Sequence, residues 1–139
     1  MRTATFHFVE EILRDYPETE KNIRYIQQEV LGPFNLEPDV GIGGRRKQNR
    51  SSRGVEYQAM TIATSKAIHN LRINQYVVEV TLAESDDLTQ EIITELYFKR
   101  NSTLTITGVA MKLHIGRTVA SRKRTSFFEK VVHQLGIRP

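Results

Sequence analysis

Apolar residues recur at helical spacing along most of this chain, and the interruptions between them mark where one helix should give way to the next. Residues 5–16 place Phe6, Val9, Ile12, Leu13 and Tyr16 on one stripe. A residue before proline is pushed out of the helical region, so Asp15-Tyr16-Pro17 should end that helix. Pro17 then suits the first turn of a second helix, with Glu18 and Glu20 favourable at its positive end. This second helix turns Ile23, Ile26, Val30 and Leu31 inward and stops at Gly32-Pro33.

Further on, residues 55–69 suggest a helix with Ala59, Ile62, Ala63 and Ala67 inward, and residues 71–83 a second run built on Leu71, Val78 and Leu82. Val77-Val78-Glu79-Val80 fits a strand taken alone, but its neighbours are helical and no sheet-type turn flanks it. Ser85-Asp86-Asp87 supplies a helix cap. The helix it opens, 88–98, carries Leu88, Ile92 and Leu96, with Glu95 or Tyr97 beside them, and Asn101-Ser102 closes it.

The chain is organised around residues 104–135, which read as two helices joined by a short turn. Ile106, Val109, Ala110 and Leu113 give the first an inward stripe. At His114-Ile115-Gly116 the glycine is expected to permit the sharp turn and Ile115 to pin it into a core. The second helix, 117–135, buries Ala120, Phe127, Val131 and Leu135 and presents Thr118, Arg122, Thr125 and Glu129, flanked by Ser121 and Arg124. The expected fold is therefore all-α, a helical bundle with a C-terminal helix-turn-helix, whose second helix enters the major groove of DNA. Four stretches follow: an N-terminal helical segment (1–31), a linker (32–54), central helices (55–98) and a DNA-binding region (99–139).

Charge strengthens the nucleic-acid reading over a hairpin whose outer face merely happens to be basic. The chain holds 20 basic and 16 acidic residues, net +4. From Lys99 onward nine are basic (Lys99, Arg100, Lys112, Arg117, Arg122, Lys123, Arg124, Lys130, Arg138) and only Glu129 is acidic, leaving 11 basic and 15 acidic before them. Solvated helix faces usually mix their signs, whereas a one-signed cluster on a helix is the footprint of phosphate contact. The linker adds Pro33, Pro38, Gly41, Gly43 and Gly44, then Arg45, Arg46, Lys47, Arg50 and Arg53. It reads either as an arm for phosphates or the minor groove, or as a soluble connector. Its GIGG lacks the lysine and Ser/Thr of a phosphate-binding loop.

At 139 residues the chain can bury a core unaided. It has no cysteine, hence no disulfide or thiolate metal site, and no apolar run near the roughly 20 residues of a bilayer span. A cytoplasmic location is expected. His7, His69, His114 and His133 are scattered, with no HExxH pair, GxSxG elbow or distinctive carboxylate pair. Neither an enzyme nor a cofactor is expected.

The order YPETEKNIRYIQQEVLGPF, a basic glycine-containing linker, EIITELYFKR and then AMKLHIGRT resembles the RinA/ArpU-type phage transcriptional regulators, whose C-terminal part is similar to the helix-turn-helix of sigma factor region 4. The resemblance covers nearly the whole chain. It implies a DNA-binding activator of late or packaging genes, encoded by a phage or prophage in a bacterial host. It puts Arg117, Thr118, Ser121, Arg122 and Thr125 on the exposed side of the recognition helix. In a DNA-binding reading, Lys123, Arg124 and the linker's Arg45, Arg46 and Lys47 are expected on phosphates. Gly116 stands where such motifs carry a capping Ser or Thr. Lys123 stands where an apolar residue is common, so its stem is expected between helices.

Two other readings stay open at this point. One is a DNA-packaging recognition subunit assembled as a ring, a homo-oligomer. The other is a module gripping bacterial RNA polymerase without DNA, through Glu84, Asp86, Asp87, Glu91 and Glu95.

Overall fold

The structure, a computed structural model, describes residues 1–31, 45–100 and 102–139, with the side chains of 29–31, 45–53 and 57 outside that description. Among the described residues every regular element is helical. Helix α1 (Thr3–Asp15) runs through a 3₁₀ turn (Tyr16–Glu18) into α2 (Thr19–Tyr25), which continues as a π-helical stretch, Ile26–Leu31. Then come α3 (Arg45–Glu84) and α4 (Asp87–Ile93), the latter extended by a π-helical turn, Thr94–Phe98. The chain ends with α5 (Ile106–Lys112) and α6 (Arg117–Leu135). The expected stop at Gly32-Pro33 and the linker's first part, 32–44, lie outside the described residues.

Two compact units divide the chain, one of residues 18–72 and one of residues 1–17 with 73–139. In the first, Thr19, Ile23 and Thr64 are buried, and Arg72 of α3 pairs with Glu20 of α2. Here α3 departs from the sequence reading in three ways. Residues 45–54, expected in a linker, are helical, because lysine, arginine and glutamine are good helix formers and one interior glycine, Gly54, costs only about 1 kcal/mol. The two runs 55–69 and 71–83 form one helix. Lastly, Ala59, Ile62, Ala63 and Ala67 are all exposed, Ile62 at 59%. Alanine removes little apolar area from water, so the spacing of three alanines around one isoleucine does not fix an inward face.

The second unit contains two cores. The larger joins Val9, Ile12 and Leu13 of α1, Val77 and Val78 of α3, Ile93 and Tyr97, and Phe127, Phe128, Val131 and Val132 of α6. The smaller joins Ile92 of α4, Val109 and Ala110 of α5, and Ala120 of α6, with Leu88, Ile106, Leu113 and Ile115 against it. Adjacent residues thus serve different cores, Ile92 the smaller and Ile93 the larger. The wide turn that follows, closed by the Lys99 N–H donating to the Thr94 carbonyl at 3.2 Å, carries Tyr97 into the larger one.

Local chemistry fixes the junctions. Asp86 caps α4, its carboxylate accepting from the Thr89 N–H at 3.1 Å, within the predicted cap. Gln90 donates back to the carbonyls of Leu82 and Ser85, which occupies acceptors at the end of α3. Thr5 and Arg2 at the start of α1 both donate to the Arg138 carbonyl, at 2.9 and 3.4 Å. Among the described residues, no helix is long and apolar enough to cross a membrane.

Candidate nucleic-acid interface

α5 and α6 are consecutive helices joined by residues 113–116, and the turn is built differently from the expectation. The left-handed residue is His114, φ 57°, whereas Gly116 is extended at φ −70°, ψ 145°. α5 ends in a Schellman pattern: the His114 N–H donates to Met111 and the Ile115 N–H to Ala110, at 3.3 and 3.0 Å. Ile115 therefore packs back onto the smaller core, as its isolation in the sequence suggested. It meets the same core as Ala120, four positions into α6, a hydrophobic staple that sets the angle at which the chain enters that helix.

At its own N-terminus α5 is capped by Thr105, which accepts from the Gly108 N–H at 3.1 Å. α6 has no side-chain cap at Gly116. Among the described residues, its first N–H groups meet no side-chain acceptor, at the end where the helix dipole favours an anion.

α6 buries Ala120, Phe127, Phe128, Val131 and Val132, a stripe wider than predicted because its C-terminal half meets several elements of the larger core. Leu135, expected inward, is half-buried against that core. The opposite face exposes Thr118, Val119, Arg122, Ser126, Glu129, Lys130 and His133. Ser121 and Thr125 are half-buried on the flank, and Arg117 is exposed in the first turn.

Two of the expected phosphate contacts have partners within the chain. The Lys123 ammonium lies 2.7 Å from the Asp86 carboxylate, bridging α6 to the cap of α4. With the Thr89 cap it holds that carboxyl well below the usual range, at about 2. The Arg124 guanidinium carbon sits 5.0 Å from the centre of the Phe6 ring, and its Nε is buried. Beside it Tyr97, buried and donating to Glu10 at 2.8 Å, has its hydroxyl pushed up, by burial first and then by Glu10. Glu10 also meets His7 at 3.1 Å and Arg14 at 3.5 Å.

Lys112 and Lys99 are likewise paired, both with Glu95, Lys112 at 2.8 Å. Those two lysines, Lys112 first, hold the Glu95 carboxyl below its ordinary value. Four of the nine C-terminal cations are thus turned to internal partners. Among the described residues, no ion pair engages Arg117, Arg122 or Lys130.

Arg45, Arg46 and Lys47 belong to the other unit, at the start of α3, and their side chains lie outside the described residues. Among the described residues, no three histidines or carboxylates group as metal ligands would. Sequence reasoning missed Val119, since an apolar residue one step from an inward alanine carries no signal of pointing outward.

A family described as a protein of unknown function (DUF722) matches residues 8–133. No curated protein and no solved structure matches the chain.

Proposed function

The chain belongs to the DUF722 family, and we propose that its α5–α6 pair binds duplex DNA as a helix-turn-helix, α6 entering the major groove. The observation that carries this reading is the outward face of the first two turns of α6. Arg117, Thr118 and Arg122 are exposed there, and among the described residues no ion pair engages either arginine, on a helix whose back is sealed into two cores. In such motifs the N-terminal residues of the second helix reach base edges while cations and free helix N–H groups hold phosphates. Arg122 then reads a base, with guanine its best bidentate partner, and Arg117 and Lys130 lie along the backbone.

The resemblance to RinA/ArpU-type regulators extends the proposal to activation of late or packaging genes of a phage or prophage, within a bacterial cytoplasm. A ring-forming packaging subunit would use the same α6 face. A polymerase-only module is less well supported, because two of its five acids, Asp86 and Glu95, are already held in ion pairs.

Titration of the full chain against duplexes selected from a random pool tests the reading. Arg122→Ala should lose ~1–3 kcal/mol of affinity and relax base preference at one position. Arg117→Ala and Lys130→Ala should each lower the slope of log affinity against log salt by about 1, while Lys123→Ala leaves it unchanged. Equal affinity for Arg122→Ala and the parent would overturn the assignment.

A further inference from the structure

Val119 is the large apolar residue of α6 that faces out. Phe127, Phe128, Val131 and Val132 on the same helix are all at most 2% exposed, whereas Val119 is 44% exposed. Folding gives little reason for it. A β-branched residue is a poorer helix former than alanine, and the position lies outside both cores. Nor does it serve the start of the helix. Three places after the N-cap a Glu or Gln would close a capping box; here Gly116 and Val119 fill the two box positions and neither can cap.

Its neighbours on the outward face are Thr118 and Arg122, one position before and three after, so the three share the first turn and a half. Lys123 and Arg124, the next cations along, are tied to Asp86 and stacked on Phe6, whereas among the described residues no ion pair engages Arg122 beside Val119. A valine in a helix is nearly confined to one χ1 rotamer and presents its two methyls in a fixed place at little entropic cost. In the major groove the one apolar group on any base edge is the 5-methyl of thymine.

We infer that Val119 is a specificity-determining residue that packs against a thymine methyl, so that the duplex α6 recognises carries a required T·A pair next to the base pair read by Arg122. This rests on the DNA-binding reading above, and the test separates the two.

Duplexes selected by the full chain from a random pool are remade with uracil at one thymine at a time, which removes only the methyl. At one position the parent protein should lose about three- to fivefold in affinity, the scale of one buried methyl. Val119→Ala should bind the thymine and uracil duplexes alike. Arg122→Ala should bind more weakly while keeping the uracil penalty. Because alanine is the better helix former, Val119→Ala should fold with an unchanged circular dichroism spectrum. Selected duplexes with no uracil penalty at any position, or a penalty that persists in full in Val119→Ala, would overturn the role of Val119 and leave DNA binding standing. Recovery of no duplex at low salt overturns both.

Discussion

α5 and α6 end with the same pair of backbone hydrogen bonds, yet one places histidine and the other glycine in the left-handed position. At the end of α6, Gly136 at φ 68° donates to His133 and Ile137 to Val132, as His114 and Ile115 do for α5. A side chain in that conformation costs roughly 1–2 kcal/mol that glycine avoids. The relaxed turn lies beside the larger core, where Ile137 packs; the strained one immediately precedes the exposed face of α6. The two halves of the helix differ in the same sense. From residue 126 on it buries two phenylalanines and two valines, whereas residues 117–125 bury only Ala120. One end anchors and the other presents, and local backbone strain is found at the presenting end, where binding surfaces more often store it.

The contrast can be broken most severely at the anchor. Phe128→Ala empties a fully buried position between Phe6 and Tyr97 and should cost about 3–5 kcal/mol in denaturant unfolding. Arg122→Ala on the presented half should stay within about 0.5 kcal/mol of the parent in that measurement. Equal losses would dissolve the distinction between the halves.

The two turns give a smaller and more pointed comparison. Gly136→Ala should destabilise by about 1 kcal/mol although its new Cβ meets nothing within 4 Å, because the penalty is conformational. His114→Gly should stabilise by about 0.5 kcal/mol, the relief of strain being partly offset by the freer unfolded chain. A loss at His114→Gly would mean that the imidazole contributes more than the strain removes.

The smallest effect is expected from acid. The folded-state carboxyl of Asp86 titrates at about 2, below the unfolded value near 3.9, so its contribution is present above about pH 4 and fades as pH falls toward 2. The pair is half exposed, so a few tenths of a kcal/mol are expected. Unfolding curves of Asp86→Asn and the parent should differ at pH 6 and converge near pH 2.

Much of this was legible beforehand, because burial of large apolar residues dominates and leaves a periodic trace. Val9, Ile12, Leu13, Ile92, Val109, Ala110, Ala120, Phe127 and Val131 were all placed inward by spacing, and are buried. Phe128 and Val132 escaped, since a helix wedged among several neighbours buries a broader stripe than one helical row. Gly116 is the residue that a left-handed turn favours, while nothing in the sequence marks His114 as the one at positive φ. Lys123 and Arg124 look like any other basic flank. Their partners, Asp86 and Phe6, lie far off in the chain, and only tertiary structure shows that two of the cations expected on phosphate hold the helix in place.

The shared hold of Thr5 and Arg2 on the Arg138 carbonyl brings the first and last turns of this polypeptide side by side. Anything joined at one extremity, whether a neighbouring domain or a fused reporter, must emerge next to whatever is joined at the other. A few glycines could bridge the two extremities into a ring with the helices undisturbed.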